Sequence, residues 1–336
     1  MAHYTAKPPN EELLPIAEKI LESFLATFGS ESQYLESAGE KVSQEETEKL
    51  FQDYINDLEF QDGLILNFQQ RQVAPTSVTY DPKTGKSKVN IRLPCEYRTG
   101  RILGVVDHEI GTHYLRRFNE RFQVWKNKRD KYEVRHCMRT EEGFACTNQM
   151  VREALRPNGH PFLYKSALNY YMAVKVSKMG FVELFNDIGK YIDDRQSRWN
   201  YVMRFKRGMI DTSEPGGLYK DQVYLEGAVA ILSERKELDF FGLCCGKISL
   251  DDVKRLGAAK KLKKDQIKLP PFMQDMDQYM QALDIIARVN HIDEYVEDQR
   301  IKRASGILPS PPRGPTTLPA DDGPDGDSDD IESGVD

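Results

Sequence analysis

The chain has 336 residues, of which 39% are apolar and 30% charged, the balance of a soluble protein with enough chain for one large or two modest domains. No apolar run approaches the roughly 18 residues that a membrane span needs. Met1-Ala2-His3-Tyr4-Thr5 shows no basic region followed by an apolar one, so neither a membrane anchor nor a secretory leader is expected.

Five cysteines (Cys95, Cys137, Cys146, Cys244, Cys245) form an odd set without Cys-x-x-Cys spacing, which suits a reducing cytosol. The formal charge of −6 is unevenly spread. Eight of the 53 acidic residues, and none of the 47 basic ones, fall in Asp321–Asp336, leaving the rest of the chain at about +2.

In chain order, residues 1–10 carry Pro8-Pro9 and read as a flexible lead-in. Apolar positions from Leu13 to Phe28 recur at three- and four-residue steps, an amphipathic helix stopped by Gly29. A polar stretch, 30–46, precedes a second helix marked by Leu50, Tyr54 and Leu58. Residues 76–80 and 88–93 then flank a turn containing Gly85. In the second run Val89, Ile91 and Leu93 alternate with Lys88, Asn90 and Arg92, which predicts a β-hairpin. Helical periodicity follows over 103–120, 139–155, 162–178, 181–206, 220–236 and 273–298. The chain therefore reads as α+β and predominantly helical, with a single domain over 11–304. The Gly, Pro, Ser and Asp composition of 305–336 predicts a disordered acidic tail.

The chemistry concentrates at Asp107-His108-Glu109-Ile110-Gly111-Thr112-His113, behind an apolar lead-in. A His-Glu pair followed by a second His is the pattern of a zinc-peptidase helix. Two imidazoles bind the metal and the glutamate polarises its water. Here three residues, not two, separate Glu109 from His113. On a regular α-helix, positions five apart lie about 140° from one another, against about 40° for positions four apart. A single π-type turn restores the common face, and Gly111 makes the distortion cheap. The motif therefore demands a bulged helix.

A catalytic zinc takes a third protein ligand and keeps an open position for water. Glu141 and Glu142, at the start of a helix that Thr140 can cap, both qualify. Glu142 precedes small Gly143 and Ala145, which allow close helix approach, whereas Glu141 can instead hold a histidine from behind. His136, five residues before Glu141, reads as a loop residue, as does His160, and His291 as a helix-surface one.

Taken together, His108-Glu109 … His113 and Thr140-Glu141-Glu142-Gly143-Phe144-Ala145 resemble the microtubule-associated tyrosine carboxypeptidases. They also resemble bacterial relatives named for a Gln-Glu-Gly-Leu-Ala motif. That motif falls on 141–145, with Glu for Gln and Phe for Leu, and the glutamate common to both patterns is Glu142. Tyr97-Arg98-Thr99-Gly100-Arg101, Arg204-Phe205-Lys206-Arg207-Gly208 and the run from Lys220 to Gly227 are similar to further family signatures. The resemblance covers roughly residues 10–300 by element order.

The resemblance implies a zincin-like fold with His108, His113 and Glu142 on zinc and Glu109 as general base. It further implies a cytosolic carboxypeptidase at microtubules that removes the C-terminal tyrosine of the glutamate-rich α-tubulin tail. Some relatives also act on a β-tubulin tail.

Carboxypeptidase chemistry asks four things of these residues. Zinc and Glu109 supply the activated water, and Tyr224 is a candidate donor to the oxyanion or contact for the substrate tyrosine. The strand carrying Asn90 and Arg92 is placed to align an extended peptide. Arg204, Arg207 and Lys220 are candidate readers of the terminal carboxylate. Two basic runs suit an anionic partner: nine Lys and Arg against three acids between Arg116 and Arg139, and a second from Lys254 to Lys268. No nucleic-acid module accompanies them, so nucleic acid is not expected. Two rivals remain, an aminopeptidase or endopeptidase on the same scaffold and a non-catalytic microtubule binder.

Overall fold

A computed structural model describes residues 8–9, 11–72, 74–135 and 137–308. His136, most of the lead-in and the acidic tail from 309 onward lie outside the described residues. Helix α1 (Leu14–Phe28) buries Ile16, Ala17, Ile20, Leu21 and Phe24 and ends where Gly29 donates its N–H to the Leu25 carbonyl. The polar stretch that follows holds a helix of its own, α2 (Glu31–Ser37), because the Ser30 hydroxyl accepts from the Gln33 N–H. Helix α3 (Gln44–Asp57) starts on a reciprocal Ser43–Glu46 cap.

The sheet has three strands, not two. The hairpin forms as expected, β2 (Thr76–Asp81) running antiparallel to β3 (Lys86–Arg92). A further strand, β1 (Leu64–Gln69), pairs parallel with the other side of β3, giving the order β1-β3-β2. Its signal is present in the alternation of Leu64, Leu66 and Phe68 with Ile65, Asn67 and Gln69.

Because β3 is central, both its edges are occupied. The expectation that this strand aligns a peptide is therefore corrected. Asn90 is spent inside the sheet, its Oδ1 accepting from Asn67 (2.7 Å) and Gln69 (2.8 Å) and its Nδ2 donating to Thr79 (3.0 Å). Open edges exist only on β1 and β2, and β2 lies against the metal-motif helix.

That helix is continuous from Ile102 to Glu120: α4 (Ile102–His108), a π-turn (Glu109–Tyr114) and α5 (Leu115–Glu120). The next predicted helix splits at Met150 into α6 (Met138–Gln149) and α7 (Val151–Leu155). Helix α8 (Tyr164–Val176) is intact. The span 181–206 divides into α9 (Phe181–Asp187) and α10 (Arg195–Lys206), with Tyr191 and Ile192 buried between them and Asp194 capping the second.

Helix α11 (Val223–Glu234) is followed by two short helices, α12 (Phe240–Cys244) and α13 (Leu250–Ala258). The last span breaks into α14 (Met276–Val289) and α15 (Ile292–Ala304). There the buried Asn290 side chain bonds Leu163 N and Pro161 O, and His291 takes φ 58°. One buried apolar cluster runs from Leu13 to Ile292, and α6 passes through its middle. Among the described residues no helix is long and apolar enough to cross a membrane.

Candidate metal centre

The insertion between the histidines is absorbed as the spacing demands. Residues Glu109–Tyr114 wind as a π-turn, and the rings of His108 and His113 meet with centroids 4.8 Å apart. Gly111 is required by what lies behind it, since a Cβ there would sit 2.6 Å from the Tyr54 hydroxyl. The Tyr54 hydroxyl in turn donates to Asp107 Oδ1 (2.9 Å), and Arg152 clamps the same carboxylate.

A second chain of bonds holds the widened turn from inside. The Thr112 hydroxyl donates to the Asp107 carbonyl five residues back (2.9 Å) and accepts from Asn148 Nδ2 (3.0 Å), whose Oδ1 accepts from Tyr279 (2.7 Å). All these side chains except Arg152 are buried.

Helix α6 brings up the third group because it can approach closely. Gly143 packs directly on Gly227 of α11, and a Cβ at Gly143 would stand 2.1 Å from the Gly227 carbonyl carbon. Glu142, one residue earlier, points at both imidazoles. Its Oε2 lies 4.0 Å from His108 Nε2 and 3.7 Å from His113 Nε2. One donor atom from each of His108, His113 and Glu142 lies within 4.8 Å of the other two, and all three residues are buried.

His108 Nε2, His113 Nε2 and both Glu142 oxygens have no hydrogen-bond partner among the described residues. Buried lone pairs facing one another are unfavourable. Two imidazoles and a carboxylate converging in this way are a fitting donor set for a divalent cation.

Electrostatics prepare the two histidines differently. Burial, reinforced by the charge of His113, pushes the His108 pKa well down and keeps its ring neutral. For His113 burial acts in the same direction, but Glu142, Glu141 and Glu109 overcome it and its pKa is raised. Glu141 stands directly behind His113, with Oε1 accepting from Nδ1 at 2.8 Å. This fixes the tautomer whose Nε2 lone pair faces Glu142.

Burial works against the Glu141 charge too, yet Arg116, Lys247 and His113 hold its carboxyl well below the usual range. Arg116 pairs with Glu141 while its Nε and Nη2 donate to the Leu243 (2.8 Å) and Ile248 (2.7 Å) carbonyls. Lys247 Nζ is 3.9 Å from Glu141 Oε1. Burial raises the Glu142 pKa, with His113 and Lys220 opposing.

The remaining predicted residues fall into two groups. Glu109 is buried as the first residue of the π-turn. Tyr224 is buried in the first turn of α11, its phenol pushed well up by burial and then by Glu142 and Asp221. Lys220 is the partly exposed cation felt by Glu142. These three gather round the triad.

Arg204 pairs through Nε with Asp221 Oδ2 at 2.5 Å and lies close enough to Tyr224 to feel its phenol. Arg207 is exposed at the C-cap of α10. Of the basic run after the metal helix, Arg121, Lys126, Lys128, Lys131 and Arg135 are exposed, whereas three of its cations are engaged. Arg116 is fully buried, Arg129 is tied to Glu120 and two carbonyls, and Arg117 lies over the Tyr80 ring. Sequence reasoning missed Arg116, Lys247, Thr112 and Asn148 as parts of the site. The one available signal was that Arg116 follows His113 by three residues, on the same helix face.

Comparison with known proteins supplies the family. The chain is 43% identical over 195 residues to the mouse protein named putative tyrosine carboxypeptidase MATCAP2, covering 57% of this chain and 36% of that one. It is 42% identical over 194 residues to human microtubule-associated tyrosine carboxypeptidase 1, covering 57% and 40%. The matched stretch thus spans well under half the length of these relatives. The family model described as microtubule-associated tyrosine carboxypeptidase matches residues 5–291, and the chain belongs to that family.

Proposed function

We propose that this chain is a zinc metallocarboxypeptidase on a zincin-like scaffold that removes the C-terminal tyrosine from the acidic tail of α-tubulin. A β-tubulin tail is a further substrate, and the site of action is the cytoplasmic microtubule. The observation that carries the reading is the buried trio of unpartnered donor atoms on His108, His113 and Glu142, with Glu109 next to the first. A structural metal site has no use for that extra carboxylate. The names of the relatives supply the substrate class.

Bound zinc would supply Lewis acidity and lower the pKa of a coordinated water. Glu109 takes the proton of the attacking water and passes it to the leaving amine. Tyr224, close enough to Glu142 to feel its charge, donates its hydroxyl to the developing oxyanion. Lys220, whose charge reaches Glu142, receives the terminal carboxylate. Glu141 keeps the His113 ring oriented.

The test is mass spectrometry of an N-acetylated tail peptide ending Glu-Glu-Tyr. Loss of one tyrosine is expected with the wild type, slowed about 10²–10⁴-fold by Glu109→Gln, abolished by chelation and restored by zinc. The C-terminally amidated peptide should survive. Cleavage of the amide, or equal rates for the two proteins, would overturn the reading and favour an endopeptidase or a binder.

A further inference from the structure

A cavity of about 320 Å³ opens beside the N-terminal end of the metal helix. Its wall carries Lys41, Arg92, Arg98, Arg101 and Lys165 against one carboxylate, Glu96. Glu31 offsets Lys165 from behind, and the wall stays net positive. Four separate segments contribute these cations, so the charge does not belong to one solvated helix face.

The cavity reaches toward the metal donors along two helices. Val105, which lines it, lies one turn before His108 on α4. A smaller adjoining cavity shares Arg101 and Lys165 and is lined by Cys146 and Gln149, one and two turns after Glu142 on α6. Tyr201 links the same cations inward, for its hydroxyl bonds Lys165 and its phenol feels both Arg204 and Arg101.

Distance decides which part of a peptide belongs there. In a carboxypeptidase the terminal carboxylate is one residue beyond the scissile bond, and one residue spans at most about 3.6 Å. Its cation must stand beside the donor trio, as Lys220 does. Arg101 is seven residues before His108, about 10 Å along the helix axis. Only residues two or three positions upstream of the scissile bond reach that far.

We propose that the cavity lined by Lys41, Arg98 and Arg101 is the subsite for successive upstream carboxylates of an acidic peptide, separate from the cation that reads the terminal carboxylate. The assignment rests on the carboxypeptidase reading for its polarity, and it requires guanidinium and ammonium groups to read side-chain carboxylates through charge-assisted bonds.

Two readouts on the full chain separate this claim from the catalytic one. The first is fluorescence anisotropy of a labelled, C-terminally amidated peptide containing Glu-Glu-Glu, compared with its Gln-Gln-Gln counterpart. Wild type should favour the acidic peptide, and Lys41→Ala with Arg101→Gln should weaken its binding about tenfold, with an unchanged melting temperature and partial rescue by Arg101→Lys. The second is tyrosine release from free-acid versions of both peptides, where the double variant should lose the Glu-over-Gln preference through KM.

If tyrosine is not released at all, the anisotropy result still stands on its own. Equal binding of the two peptides, no effect of the double variant, or variants that lose discrimination between terminal acid and amide would each overturn the subsite.

Discussion

Arg101 and Arg116 stand near opposite ends of the metal helix, and the fold uses them in opposite ways. On the upstream side Arg98 and Arg101 line an open cavity, and Lys41 beside them keeps 61% of its side chain exposed. On the downstream side Arg116 is fully buried, with Glu141 and two backbone carbonyls taking its donors. The difference is one of counter-charge and solvent. A guanidinium without water needs a carboxylate and fixed acceptors, and that same carboxylate then orients a histidine. A partly solvated cation keeps the capacity to exchange partners, as a ligand subsite must.

The largest effect expected from breaking this contrast is on Arg116. Arg116→Ala leaves Glu141 buried and charged beside His113 and should cost about 3–5 kcal/mol of stability, read from urea denaturation. Lys41→Ala on the open side should stay within about 0.5 kcal/mol. If the two variants proved equally mild, Arg116 would be no internal strut and the contrast would collapse.

A smaller effect is expected where helix α6 meets α11. In an ordinary helix interior Gly→Ala gains about 1 kcal/mol from propensity. At Gly143 the added methyl would lie 2.1 Å from backbone of Gly227, which has no rotamer to yield. Gly143→Ala should therefore destabilise by about 2–3 kcal/mol and draw Glu142 away from the histidines. Thermal melting together with zinc affinity by chelator competition measures both. A stabilised protein with unaltered affinity would show that the two helices part freely and that their contact does not set the trio.

What the sequence disclosed follows the range of the interactions involved. The π-turn was legible because it is a local demand: two histidines five apart can share a face in no other way, and Gly111 marks where the strain is relieved. The hairpin and the cores of most helices were legible for the same reason. Long-range pairings were not. The alternation of Leu64, Leu66 and Phe68 announces a strand, but nothing local says that it pairs with β3 and closes the edge where a peptide was expected.

Arg116 sits in a run of nine basic residues, and only the arrival of Glu141, Leu243 and Ile248 from elsewhere makes it an interior residue. The breaks after α9 and α14 also answer to tertiary contacts. Asn290 caps the end of α14 while its side chain bonds the loop at Pro161 and Leu163.

The finest test concerns the bonds that keep the π-turn wide. Thr112 donates to the Asp107 carbonyl and accepts from Asn148, itself held by Tyr279, so one hydroxyl couples the metal helix to α6 and α14. Thr112→Val keeps the shape, removes that hydroxyl and strands a buried donor on Asn148, at about 1 kcal/mol or somewhat more. If the turn then relaxes toward ordinary α-helical winding, His108 and His113 rotate apart and zinc affinity should fall about tenfold with the melting temperature only slightly lowered. Thr112→Ser, which restores the hydroxyl and loses only a methyl, should recover most of the affinity. Should Thr112→Val bind zinc as the wild type does, the outer clamp of Tyr54 and Arg152 on Asp107 would be sufficient to hold the turn, and the inner chain through Asn148 would serve packing alone.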